Sequence, residues 1–156
     1  MFTVTRASAV GGGIAGAMGP LGNPNSGNTN IMAYCVSDNG LRSQKNSFGG
    51  NFEILANAAF VARDDMAMVI VSTYTAARID TTVLWDDGAI TTGGGADATT
   101  IANAGGYTLN GKGDPAFPTI WTKPTVSAGV IGQGLTAGER LALARNMAAR
   151  FNLSGF

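Results

Sequence analysis

The sequence contains no histidine and only one cysteine in 156 residues. Without histidine there is no Ser-His-Asp triad, no Cys-His pair, no imidazole metal ligand and no simple switch near neutral pH. Cys35 has no second cysteine to join, so a disulfide-rich secreted scaffold is excluded. It lies in the apolar run Ile31-Met32-Ala33-Tyr34-Cys35-Val36 and reads as a buried, inert thiol. Charge is scarce as well. Ten Lys and Arg balance ten Asp and Glu, and charged residues make up 13% of the chain, against about 25% in typical soluble proteins. A net charge of zero gives no electrostatic footprint for nucleic acid.

What is abundant is glycine, at 23 residues. Many of these fall in the segment Ala7 to Ser37, which has no charged residue at all. Gly11-Gly12-Gly13, Pro20, Pro24 and the polar run Asn23 to Asn30 are too polar and too helix-breaking for a membrane span. Arg6 ahead of an apolar patch, with Ala15-Gly16-Ala17 after it, has a faint look of a leader. Glycine dilutes that patch, and the expectation is a soluble, unprocessed chain. Val10 to Asn30 reads as a long irregular loop or arm, either functional or docked on a neighbour, with Gly11, Gly12, Gly13, Pro20, Asn23 and Asn25 as the residues of an assembly arm. Surfaces this poor in charge tend to self-associate, which suits a subunit hidden in an assembly.

Strand signals recur along the rest of the chain. Phe2 to Thr5, Ile31 to Val36 and Phe52 to Ile54 are short β-type runs. Arg42, Gln44, Lys45 and Asn46 mark a polar, exposed stretch, and Phe60 to Arg63 reads as a strand before the turn Asp64-Asp65. From Met66 to Tyr74, Met66, Met68 and Ile70 point one way and Ala67, Val69 and Val71 the other, which predicts a central strand covered on both faces. Thr81 to Trp85 and Ala89 to Thr92 flank Asp86-Asp87-Gly88 as a hairpin, and Gly93-Gly94-Gly95 is expected to end it. Thr99 to Ile101, Tyr107 to Leu109, Thr119 to Thr122 and Val126 to Ile131 complete the strand expectations. One helix is signalled. Thr136 and Glu139 form a capping box, and Leu141, Leu143, Ala144, Met147, Ala148 and Phe151 make its apolar arc. Arg140, Arg145 and Arg150 are spread around it and read as solvated. The organisation is residues 1–50 (first strand, arm and first hairpin) and 51–156 (β-rich body with its helix), forming one domain overall.

Chemical motifs are few. Gly11-Gly12-Gly13-Ile14-Ala15-Gly16 fits G-x-G-x-x-G, with Asp38 downstream, but Gly19-Pro20 breaks the helix that a pyrophosphate site needs. Adjacent carboxylates in Asp64-Asp65 and Asp86-Asp87 point to opposite faces and do not make a glycosidase pair. Turn formation is their simpler role. Asp97 and Asp114 form no calcium-loop pattern, so neither a metal nor a cofactor is expected. Trp85, Trp121, Tyr74 and Tyr107 are sugar-stacking candidates if exposed and core residues otherwise. Residues 64–114 hold seven acids and two bases, whereas 140–156 hold three arginines and no acid.

The second half also resembles a known family. Thr81-Thr82-Val83-Leu84-Trp85-Asp86-Asp87-Gly88-Ala89, Ala102 to Gly111 and Val130 to Arg140 are similar to successive strands of laminin-G-like, concanavalin-A-like lectin domains. The similarity spans roughly Met66 to Leu153 and is nearest to versions in bacteriophage and bacterial surface proteins. Phe117 to Ile120 departs from the pattern, and the family's calcium-binding aspartate has no match. The resemblance implies a mainly β, antiparallel jelly-roll sandwich with one C-terminal amphipathic helix. With the low charge and the uncharged arm, the expected role is that of a non-enzymatic virion protein: a bacteriophage capsid decoration, head spike or tail-associated subunit. Its partners would be other virion proteins and copies of itself, with no nucleic acid and no membrane. The alternative is a lectin-like module binding surface glycans through Trp85, Asp86, Asp87, Tyr107 and Trp121.

Overall fold

A computed structural model describes residues 2–7, 18–22, 32–36, 40–44, 51–98, 108–109, 125–129 and 134–153. The protein is mainly β, with antiparallel sheets and a C-terminal helix. Its strands are β1 (Phe2–Arg6), β2 (Met18–Gly22), β3 (Met32–Val36), β4 (Gly40–Gln44), β5 (Asn51–Leu55), β6 (Ala67–Tyr74), β7 (Arg78–Trp85), β8 (Ile90–Ala96), β9 (Thr108–Leu109) and β10 (Thr125–Gly129). Helix α1 (Asn57–Val61) precedes β6, and α2 (Ala137–Arg150) follows β10. Among the described residues, one five-stranded sheet has the order β10-β1-β6-β7-β8 and the other β5-β4-β3-β2-β9.

The alternation in β6 organises the packing. Met68 and Ile70 join Val83 and Trp85 of β7, Leu41 of β4, Ile54 of β5 and Phe60 of α1 in the core shared by the two sheets. Val69 and Val71 face the other way, with Val4 and Leu84, against Ala144 and Ala148 of α2. Every residue of β6 but Tyr74 is buried, as a strand covered on both faces requires. Polar side chains in the inter-sheet layer find partners there. Ser72 and Thr81 lie 2.8 Å apart through their hydroxyls, and Ser43 meets the Tyr74 hydroxyl at 3.0 Å.

Helix α2 begins at the capping box read from sequence. The Glu139 backbone N–H donates to Thr136 Oγ1 at 3.3 Å, and the Thr136 N–H donates back to Glu139 Oε2 at 2.8 Å. The Thr136 backbone N–H, and then its hydroxyl at 2.7 Å, hold the Glu139 carboxyl below its ordinary range. The helix ends in a Schellman turn. Asn152 takes φ +49°, its N–H donates to Ala149 O at 3.3 Å, and the Leu153 N–H donates to Ala148 O at 3.1 Å. Leu153 then packs on the core beneath the helix.

Five local expectations are corrected. Phe60 to Arg63 is not a strand: Asn57–Val61 is helical and a turn follows. Alanines at 56, 58, 59 and 62 favour the helix, and its single large apolar inner residue, Phe60, is buried. The expected arm contains β2, and Pro20 lies where the β2–β3 register shifts between Met18 and Leu21, a position that tolerates a missing N–H. The polar stretch begins inside β4, where Arg42 is half-buried and not exposed. Gly93 to Gly95 do not end their strand, since β8 continues to Ala96. A Cβ on Gly94 would lie 2.2 Å from Ile79 O, and one on Gly95 2.4 Å from the Phe52 ring, so close packing selects glycine there. Arg140 is not solvated but 8% exposed, with Nη1 donating to Leu135 O at 2.8 Å and Nε to Thr82 Oγ1 at 3.4 Å. The expected strands at 99–101 and 119–122 lie outside the described residues.

Candidate functional site

Charged and aromatic residues gather where the end of β1, the turn before β6 and the β7–β8 turn meet. The β7–β8 turn is built by its own sequence. The Trp85 N–H donates to Ala89 O at 2.9 Å, the Gly88 N–H to Trp85 O at 2.9 Å, and Gly88 takes φ +81°. Asp87 Oδ1 accepts from the Ala89 N–H at 2.9 Å, the Asx-type bond that makes aspartate a turn former. The preceding turn is drawn in by Asp65, at φ +68°, whose N–H donates to Ala7 O at 2.9 Å. Arg6 Nη1 donates to Asp65 O at 2.7 Å and lies 3.9 Å from its carboxylate.

Arg63 links the two turns. Its Nη1 donates to Asp87 Oδ2 at 3.0 Å, and its guanidinium carbon sits 4.7 Å from the Trp85 ring centroid. The geometry is that of a cation held over an aromatic face. Phe60 meets the same indole edge-on, with centroids 6.2 Å apart and planes at 63°. Trp85 Nε1 donates to Thr91 Oγ1 at 2.9 Å, which satisfies the polar atom of an otherwise apolar ring. The Ala89 N–H above all, then the Arg63 hydrogen bond and charge, hold the Asp87 carboxyl below its ordinary range, with partial desolvation opposing them. A carboxyl so held stays ionised at neutral pH, which suits an acceptor and a counter-charge, not a proton donor.

The sequence-selected residues therefore separate. Trp85 has no exposed surface, which corrects its role as a stacking platform: its ring is covered by Phe60 and Arg63. Asp86 is half-buried in the turn, and its backbone N–H donates to Ala67 O at 2.9 Å. Asp87 is exposed but engaged as described. Tyr74, also considered for stacking, sits between the sheets against Ser43. Tyr107, Trp121, Gly11, Gly12, Gly13, Asn23 and Asn25 lie outside the described residues, and Pro20 is in β2. Sequence reading missed Arg63, which stands 24 residues from Asp87 and reaches it only because Met68 pairs with Trp85 across β6 and β7.

Among the described residues no three His, Cys, Asp or Glu side chains are grouped to hold a metal ion. No described helix is long and apolar enough to cross a membrane. Comparison of the chain with protein-family models, with curated proteins and with solved structures found no match in any of the three.

Proposed function

We propose that this chain is a non-enzymatic structural protein of a virus particle, a bacteriophage capsid decoration, head spike or tail-associated subunit that works through protein–protein contacts. The observation that carries the non-enzymatic part is the state of the charged cluster. Arg63 is paired with Asp87 and stacked on Trp85, Arg6 is bonded to Asp65, and Asp87 is also committed to its own turn. Such groups tie the two turns and the end of β1 together. The particle setting draws on the composition, 13% charged with zero net charge and an uncharged run from Ala7 to Ser37. It draws also on the resemblance of Met66 to Leu153 to lectin-type jelly-roll sandwiches of phage surface proteins. Two antiparallel sheets sharing a core, with α2 on the outer face, are compatible with that class, although fold class alone does not assign a role. A glycan-binding role would need a stacking surface other than buried Trp85.

The test is to locate the protein in its native particle by labelled electron microscopy, together with its copy number. Regular placement at a fixed copy number is the expected result. A native protein that is absent from particles and has no affinity for any virion component overturns the proposal. A glycan array serves as a second arm, where silence is expected.

A further inference from the structure

The edge of the first sheet formed by β8 has the chemistry of a strand-pairing surface. Its hydrogen-bonding direction follows from the turn. Because the Trp85 N–H donates to Ala89 O, and the register then runs unshifted from Leu84–Ile90 to Arg78–Ala96, residues 91, 93 and 95 turn their backbone groups toward β7. Ile90, Thr92, Gly94 and Ala96 turn theirs away from it, and all four are exposed. Among the described residues β8 is paired with β7 alone. Soluble proteins blunt such edges with lysine, proline or a bulge. The sequence Ile90-Thr91-Thr92-Gly93-Gly94-Gly95-Ala96 has no charge and no proline, its register has no shift, and Ile90 is 45% exposed.

We propose that β8 pairs antiparallel with β8 of a second copy of this chain, joining two first sheets into one. A strand with no charge meets itself about a two-fold axis without like-charge repulsion, so the edge is self-complementary. Centred on Gly93, the pairing sets Thr92 opposite Gly94 of the second copy and Ile90 opposite Ala96, with all outward backbone groups engaged. Ile90, Thr92 and Ala96 then meet their counterparts beside the face that α2 covers. The proposal rests on the geometry of β8 and holds whether or not the chain belongs to a virus particle.

The experiment uses the full chain in sedimentation velocity over a wide concentration range, with hydrogen exchange on the same samples. The wild type is expected to dimerise. Thr92→Pro removes an outward N–H and none directed at β7, so it should abolish the dimer while leaving the far-ultraviolet circular dichroism unchanged. Thr92→Lys brings two like charges close to the axis and should do the same. Ala142→Lys, on the exposed side of α2, should leave the dimer intact. The amides of Ile90, Thr92, Gly94 and Ala96 should lose protection at least about tenfold on dilution, since association and opening are linked by mass action. A wild type that stays monomeric overturns the proposal, as does a dimer that survives both Thr92 variants. Edge amides whose protection ignores dilution overturn it too, because the chain then covers β8 itself. Should both variants misfold, the dilution dependence in the wild type decides alone.

Discussion

Strands β6 and β8 belong to one sheet, separated only by β7, yet they follow opposite physical rules. In β6 all residues but the last are buried, because the second sheet covers one face and α2 the other. In β8 exposed and half-buried residues alternate, and three successive glycines replace side chains. The stability of β6 comes from side-chain burial, whereas β8 is held by its ladder to β7 and by the close seat of Phe52 on Gly95. Among the described residues the sheet thus has a core strand packed on both faces and a thin margin paired on one side alone.

The contrast is broken most severely in β6. Ile70→Ala should lower the unfolding free energy by about 2–5 kcal/mol, while Thr92→Ala on β8 should stay within about 0.5 kcal/mol. Urea denaturation of both variants checks the pair, and equal losses would refute the division. Next in size is Gly94→Ala. Gly94 takes φ +144°, and its added Cβ would press on the Ile79 carbonyl, so a loss of about 1–3 kcal/mol is expected in the same assay. A neutral result would show that β8 can shift away from β7. Thr136→Ala tests the helical cover that distinguishes β6. Losing the cap should cost about 1 kcal/mol, read as a lower melting temperature.

The smallest effect concerns the turn that joins β7 to β8. The Asp87 carboxyl titrates below its ordinary range in the folded protein, so its stabilising contribution is complete above the pH at which an unfolded aspartate ionises. It falls away as the pH drops through the lowered folded-state value. Melting temperatures of wild type and Asp87→Asn should therefore differ at neutral pH, with the wild type higher, and converge in acid. Arg63→Gln should shrink the same difference, since Arg63 supplies part of the shift.

Several features were legible because neighbours in sequence create them. The two-faced alternation of 66–74, the Asp86-Asp87-Gly88 turn and the Thr136–Glu139 box each declare themselves within a few residues. Other features were not. Gly93 to Gly95 read locally as a strand end, but the chain is kept extended by pairing with Ile79, Asp80 and Thr81. Phe60 to Arg63 has β-type composition, yet the alanines around it and the burial of Phe60 favour a helical turn. Arg140 looked like one of three surface arginines, and only the sheet beneath α2 shows that it alone meets Thr82. In the candidate site the turn-forming role of Asp87 was readable, and burial was one of the two readings open for Trp85, whereas the Arg63–Asp87 pair was not readable.

By itself, then, the sequence determined the lack of histidine chemistry, the scarcity of charge, the central character of β6 and both ends of the capping box. These depend on composition or on spacings of a few residues, which torsional preference and side-chain periodicity control directly. The tertiary structure alone decided that Trp85 is sealed beneath Arg63, that Arg140 is buried, and that the glycine-rich strand lies outermost in its sheet among the described residues. Burial and strand order are sums over residues far apart in the chain, and no local pattern contains those sums.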